Sequence, residues 1–221
     1  MTFWEQQLSD IREQLLLMSG LTERVFSISI RALTERDDKL ADEVEQEDDR
    51  IDRLEVQIDE RVVTFISTHG AVARDCRFVL MASKISGNLE RIADEATNIA
   101  RRSRELNMEP LLKPLIDIPI IAETAREMLR DSITAFVDIK PDLALEIIAR
   151  DKTVDSIHKQ LARELTAGMV ENPATITRAL NLMRVAKAIE RVADHATNIA
   201  EEVHYLTRGE DVRYNQELKG R

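Results

Sequence analysis

The sequence has 221 residues, 33% of them charged, and its formal net charge at pH 7 is −10. Binding of nucleic acid depends on lysine and arginine side chains that neutralise phosphates, so this balance argues against a nucleic-acid partner. Six glycines, five prolines and a hydrophobic fraction of 43% favour a helical protein with a sizeable core over a disordered chain. The single cysteine, Cys76, excludes an internal disulfide and fits a reducing compartment.

The sequence shows neither a membrane span nor a secretory signal. No run approaches the roughly eighteen unbroken apolar residues of a membrane helix. The first residues lack the basic stretch followed by an apolar one that a secretory signal requires. We therefore expect a cytoplasmic protein that does not insert into a membrane.

Apolar spacing and helix-end residues predict six long helices. In chain order they cover about residues 5–36, 39–68, 72–106, 115–139, 140–171 and 172–208. Pro110 and Pro114 mark a linker between the third and fourth helices, and Asn172-Pro173 supplies a cap and a first-turn proline for the sixth. We predict two domains, residues 1–108 and 115–208, followed by a loose tail at residues 209–221.

An internal repeat relates the two halves. The segment Leu89-Glu-Arg-Ile-Ala-Asp-Glu-Ala-Thr-Asn-Ile-Ala100 returns one hundred residues later as Ile189-Glu-Arg-Val-Ala-Asp-His-Ala-Thr-Asn-Ile-Ala200, with nine of twelve positions identical. Such a repeat indicates a duplicated structural unit. The repeated segments lie in the third and sixth predicted helices. The apolar residues of these two helices alternate spacings of four and three, which is typical of long helices that cross at a shallow angle. The sequence therefore predicts an all-α fold of two tandem, pseudo-symmetric antiparallel three-helix bundles.

Pairs of acids four residues apart recur at equivalent positions of the halves. Residues at this spacing lie on one helix face, and the apolar register places the pairs on an outer face. Like charges so placed destabilise a helix by about 0.2–0.5 kcal/mol per pair, so we expect arginines or bound cations to offset them. Lys152 and Lys159 lie within reach of Asp155, which makes the second half the weaker candidate for a cation site. The pairs are Asp48/Asp52, Glu90/Asp94, Asp151/Asp155 and Glu190/Asp194.

The same acids are candidate metal ligands. Carboxylates are hard oxygen donors for magnesium, calcium, manganese or iron, and carboxylates on neighbouring helices can bridge two metal ions about 3.5–4 Å apart. We take all eight carboxylates as candidate ligands of divalent or iron-type ions, zinc included, without distinguishing among them. A solvated acidic face that holds no ligand remains the alternative.

Enzymatic interpretations find less support. A ferritin-like di-iron centre needs two Glu-x-x-His motifs, and the sequence has one, at Glu201 and His204. A phosphotransfer bundle needs an exposed acceptor histidine, and the candidates His158 and His195 have Glu55 and Glu95 as counterparts. No glycine-rich phosphate loop or nucleophile elbow is present. We therefore expect no catalytic residue and no organic cofactor.

Two tandem units of about one hundred residues, each ending in Glu-Arg-(Ile/Val)-Ala-Asp-x-Ala-Thr-Asn-Ile-Ala and each carrying an earlier Asp-x-x-x-Asp, resemble the PhoU family of phosphate-uptake regulators. The resemblance covers nearly the whole chain, and it implies the same pair of three-helix bundles. It also implies a function: members of the family restrain phosphate uptake and the phosphate-starvation response when phosphate is plentiful.

The resemblance further implies partners and ligands. Family members act as adaptors between the phosphate ABC transporter, notably its ATPase subunit, and a membrane sensor histidine kinase, and we expect a homodimer. Some members bind multinuclear iron or other metal clusters through (Glu/Asp)-x-x-x-Asp motifs, which here are the four pairs above. Glu95 and His195 stand at a variable position of the motif and are not counted as ligands. The alternatives are an accessory protein of an inorganic phosphate permease and, less favoured, a carboxylate-bridged di-metal enzyme.

Overall fold

The computed structural model describes residues 3–68 and 73–208, and in this part of the chain all regular structure is helical. The prediction of six long helices in an all-α fold is confirmed. The boundary between the second and third predicted helices, at residues 69–72, and the predicted tail at residues 209–221 lie outside the described residues. The helices are α1 (Phe3–Thr34), α2 (Asp38–Thr68), α3 (Ala73–Asn107), α4 (Asp117–Asp138), α5 (Pro141–Glu171) and α6 (Ile176–Arg208).

The ends of the second-half helices follow local chemistry. Pro141 stands in the first turn of α5, where its missing N–H is not needed. The Asn172 side chain accepts a hydrogen bond of 3.2 Å from the N–H of Ala174, as a cap should. The turn that follows is a short 3₁₀ helix, Pro173–Thr175, so α6 begins three residues later than Pro173.

The turns that end α1 and α4 show the duplication at the level of the backbone. Arg36 and Ile139, which are 103 residues apart, both adopt the left-handed conformation, with φ of 56° and 55°. The following N–H group in each turn, of Asp37 and of Lys140, donates to a carbonyl five residues earlier, at 3.1 and 2.9 Å. Both turns therefore close their helices in the same way, although neither uses the glycine usual there.

One continuous apolar core joins the two halves. In each half the three helices pack against one another, and α3 against α6 and α1 against α4 connect the halves. Helices α3 and α6 run antiparallel, because Lys84 contacts Glu202 whereas Glu95, further along α3, contacts Arg191. Across the described ranges no helix is both long and apolar enough to cross a membrane.

Candidate metal site in the groove between the halves

A groove of about 760 Å³ lies between α3 and α6 and brings acids of both halves together. We call Asp48, Asp52, Glu90 and Asp94 the first acidic cluster, and Asp151, Asp155, Glu190 and Asp194 the second acidic cluster. Each cluster combines one pair from the middle helix of its half with one from the last helix. Residues of both clusters line the groove, namely Glu90, Asp94, Asp151 and Asp194.

The carboxylates of the first acidic cluster repel one another. Burial, followed by the negative charges of Asp94, Glu55 and Asp52, raises the pKa of Glu90 to about 7. Burial, followed by the charges of Asp52 and Asp94, raises the pKa of Asp48 to about 6. The pKa of Asp52 is also raised, first by burial and then by Asp94. The α2 and α3 pairs therefore lie close enough for their charges to interact.

No cation of the described residues pairs with this cluster. Asp48, Asp52, Glu90 and Asp94 take part in no ion pair within residues 3–68 and 73–208. Positive charges at greater distance lower these pKa values only partly, as Arg101 does for Asp48 and Arg91 for Glu90. The repulsion among these carboxylates is therefore not offset by an ion pair with any described residue.

Two further groups border the first acidic cluster. Glu55 follows Asp52 on the same face of α2, and its Oε1 would lie 3.4 Å from a Cβ atom at Gly87, so the glycine leaves room for it against α3. The buried hydroxyl of Thr97 lies close enough to Asp48 to lower its pKa, yet it makes no hydrogen bond of normal geometry. Glu55 follows Asp52 by three residues in the sequence, and this spacing gives no sign of its contact with α3.

The second acidic cluster carries cations of its own. Burial, followed by the charges of Glu190 and Asp151, raises the pKa of Asp194 to about 6. Lys159 Nζ lies 3.0 Å from Asp155 Oδ2, as the sequence predicted, and Lys187 forms an ion pair with Glu190. Lysine charge therefore offsets part of the repulsion in this half.

The prediction that the pairs lie on an outer face is wrong for Glu190 and holds only in part for four other residues. Asp52, Asp94 and Asp194 are exposed, but Glu190 retains only 8% of its accessible surface. Helix α6 packs against α3 as well as against α4 and α5, so its buried arc is wider than a single apolar seam. The half-buried members are Asp48, Glu90, Asp151 and Asp155.

The variable position of the motif connects the halves. Arg191 Nη1 donates to Glu95 Oε1 across the groove at 3.0 Å. His195 Nδ1 lies 3.0 Å from the side-chain oxygen of Asn88, and burial, followed by the charges of Arg91 and Arg191, lowers the pKa of His195. Glu95 and His195 thus form contacts between helices, which a pattern within one helix could not indicate.

As they stand, no three Asp, Glu, His or Cys side chains among the described residues converge closely enough to coordinate a metal ion. The assignment of the eight carboxylates as metal ligands therefore stays a prediction. The chemistry of the first acidic cluster nevertheless fits a hard cation, since it offers carboxylate oxygens and a buried hydroxyl with no cation beside them.

Known proteins resemble this chain in both sequence and fold. The PhoU domain model matches residues 15–103 and 118–203, one segment in each half. A phosphate-specific transport system accessory protein PhoU homolog of Pseudomonas putida is 39% identical over 209 residues, covering 94% of this chain and 82% of that protein. The homolog of Aquifex aeolicus is 40% identical, and the alignment covers 95% of each chain.

Solved structures agree with these matches. The crystal structure of PhoU from Pseudomonas aeruginosa has a TM-score of 0.91 at 38% identity, over 94% of this chain and 100% of that one. The PhoU structure from Streptococcus pneumoniae has a TM-score of 0.88 over 95% and 99% of the two chains, and at 23% identity it supports the fold alone. Because a family model matches both halves and relatives of this identity span nearly the whole length, the chain belongs to the PhoU family.

Proposed function

We propose that this protein is a non-enzymatic negative regulator of phosphate uptake and of the phosphate-starvation response. It acts as an adaptor between a phosphate ABC transporter, through its ATPase subunit, and a sensor histidine kinase. The observation that carries this proposal is the near full-length match to proteins named as accessory proteins of phosphate-specific transport systems. The adaptor works in the cytoplasm as a homodimer, and light scattering of the purified protein tests the dimer.

We further propose that the first acidic cluster binds metal ions and that the ions complete a docking surface. The pKa values of Glu90 and Asp48 are raised to about 7 and about 6, first because both carboxyl groups are partly buried and then because neighbouring carboxylates repel their charges. A bound cation would take the place of the protons on these carboxyl groups and would supply a positive charge beside them, where the described residues form no ion pair. The second acidic cluster, with Lys159 and Lys187 beside it, contributes less to metal binding.

A pull-down with purified protein tests both parts of the proposal. Tagged wild-type protein should retain the transporter ATPase and the sensor kinase, and a chelator should weaken that retention. The double variant Glu90→Gln/Asp94→Asn should retain little of either partner, with or without chelator. A matched variant of exposed acids elsewhere, Asp142→Asn/Glu146→Gln on α5, should behave as wild type.

Three outcomes would count against these proposals. Retention of an inorganic phosphate permease in place of the ABC transporter would favour the alternative accessory role. Deletion of the gene in phosphate-rich cells should raise expression of phosphate-uptake genes, and unchanged expression would refute the regulatory role. If both partners are retained equally with and without chelator, the adaptor role stands and the proposal that metal ions complete the docking surface is refuted.

A further inference from the structure

A second pocket lies where the two halves meet at one end of the molecule, outside the acidic groove. Its volume is about 550 Å³, and we call it the end pocket. Leu8 of α1 and Phe78 of α3 form its wall in the first half. Ile139, in the turn between α4 and α5, and Leu206 of α6 form its wall in the second half. The pocket is thus built from apolar side chains of both bundles.

The other end of the molecule holds the counterpart of this pocket. Through the duplication, Ile139 corresponds to Arg36 and Leu206 to Leu106, and Arg36 and Leu106 line a pocket together with Leu182. Leu182 and Leu206 belong to the same helix, and at about 1.5 Å per residue they are roughly 36 Å apart along its axis. The two pockets therefore occupy equivalent places at opposite ends of α6.

The two pockets differ in how much space remains in them. The counterpart pocket retains only about 10 Å³, against about 550 Å³ in the end pocket. Its lining includes Leu111, Leu112 and Leu115, which belong to the linker that continues the chain after α3. The chain that leaves α3 therefore packs its own leucines into the space beside the helix end.

Arginines hold that linker in place through its backbone. Arg36 Nη2 donates to the carbonyl oxygens of Asn107 and Glu109 at 2.8 and 2.7 Å. Arg178 Nη1 donates to the carbonyl oxygen of Pro110 at 3.0 Å. The occupant of the counterpart pocket is therefore an irregular segment that offers leucine side chains to the core and oxygen atoms to guanidinium groups.

The end pocket offers guanidinium groups as well. Arg12 and Arg77 line it, and neither forms an ion pair within the ranges that the structure describes. The Arg12 guanidinium carbon lies 5.4 Å from the centroid of the Phe78 ring, an arrangement that leaves the N–H edges of a guanidinium available to oxygen atoms. Asp75 is the acid among the described lining residues, so these residues together carry one net positive charge.

We propose that residues 209–221, which continue the chain after α6, occupy the end pocket as the linker after α3 occupies its counterpart. In this arrangement the carboxylates of Glu210 and Asp211 bind Arg12 and Arg77, and Val212 packs on the apolar wall. Thr207 lines the pocket, and Glu210, three residues further on, can reach about 10 Å from it. Because the pocket has walls from both bundles, the docked segment ties the first half to the end of α6.

Limited proteolysis of the full chain tests the proposal. Chymotrypsin cleavage after Tyr214, followed by mass spectrometry, reports how often the segment leaves the pocket. The variant Arg12→Glu/Arg77→Glu should be cleaved on the order of tenfold faster, because the carboxylates are then repelled. Combining it with Glu210→Arg/Asp211→Arg should restore slow cleavage. Arg130→Glu, at an exposed arginine of α4, should be cleaved at the wild-type rate.

Equal cleavage rates in wild type, pocket variant and control would overturn the proposal. A wild-type rate that falls as protein concentration rises would also overturn it, because the segment would then be docking on a second copy. If circular dichroism shows that Arg12→Glu/Arg77→Glu does not fold, Glu210→Arg/Asp211→Arg in a chain with the native pocket should give the same acceleration. Failure of that variant to accelerate cleavage would equally refute the docking.

Discussion

The first and second acidic clusters come from one duplicated motif but differ in their surroundings. In the second, Lys187 pairs with Glu190 and Lys159 with Asp155. In the first, the position equivalent to Lys187 is Gly87, and Glu55 lies against the space that the glycine leaves. Among the residues that the structure describes, the second cluster thus has paired lysines and the first has none. The duplication preserved the acids, while substitutions beside them decided which cluster can gain from an external cation.

The largest effect that we expect from this difference is on metal-dependent stability. Adding Mn²⁺ to chelator-treated protein at one hundred times its dissociation constant should stabilise the fold by about 2.7 kcal/mol. For a chain of this length that corresponds to a rise in melting temperature on the order of 5–10 °C, measured by differential scanning calorimetry.

Matched variants assign that effect to one cluster. Glu90→Gln/Asp94→Asn should abolish most of the rise, whereas Glu190→Gln/Asp194→Asn should leave most of it. Equal losses from the two double variants would contradict the comparison, and no rise in wild-type protein with any divalent or iron ion would remove the metal proposal altogether.

Converting the first cluster into the second should have the next largest effect. In chelator, Gly87→Lys should raise the free energy of unfolding by about 1–2 kcal/mol, partly because lysine forms helix better than glycine and partly because its charge lies beside Glu90. Gly87→Ala is the matched control, since it changes helix propensity and places the same Cβ atom about 3.4 Å from Glu55 Oε1 without adding a charge. Urea unfolding at pH 8 measures the free energy of unfolding of both variants. If Gly87→Lys were no more stable than Gly87→Ala, the acids of the first cluster would need no cation.

Helix positions and acid pairs could be predicted from the sequence because they depend on spacing within one helix. The apolar register gave α3 and α6 within two residues of their observed ends, apart from the 3₁₀ turn before α6. The degree of burial could not be predicted in this way. Ala93 and Ala100 are fully buried although they lie outside the apolar pattern of alternating four- and three-residue spacings, because α3 also packs against α6. Only this second contact explains why Glu90 lies in a groove.

The lysine pairs of the second cluster also show which contacts can be predicted from the sequence. Lys159 could be matched to Asp155 because they are four residues apart on α5. Lys187 and Glu190 are three residues apart on α6, but the effect of this pair depends on the burial of Glu190, which spacing within one helix does not indicate. Contacts between helices, such as Glu95 with Arg191, leave no periodic signal in either helix.

The dependence of stability on pH should also differ between the clusters. The pKa of Glu90 is raised to about 7 in the folded state. Between its unfolded value and about 7, the folded state binds more protons than the unfolded one, so stability falls as pH rises. Chelator-treated protein should therefore unfold less readily at pH 5.5 than at pH 8. Allowing for partial exposure, Glu90 should contribute about 1 kcal/mol of that difference.

Glu90→Gln isolates this contribution. Urea unfolding at the two pH values should show a smaller difference for the variant than for wild type, with the variant more stable at pH 8. Glu190→Gln should instead be neutral or destabilising at pH 8, because it removes the partner of Lys187. If both glutamine variants were stabilised at pH 8 by the same amount, Lys187 would not be offsetting charge in the second cluster.

The smallest effect should come from removing the counter-charge of the second cluster. Because Lys187 is half-exposed in its pair with Glu190, Lys187→Ala should lower the free energy of unfolding in chelator by about 0.5 kcal/mol. A second measurement on Lys187→Ala, the rise in melting temperature on adding Mn²⁺, is more informative. Without the lysine, Glu190, Asp194 and Asp151 resemble the first cluster, so the rise should exceed that of wild type. The exposed Arg163→Ala is the control on α5. A Lys187→Ala variant with an unchanged rise would mean that burial, not lysine charge, separates the two clusters.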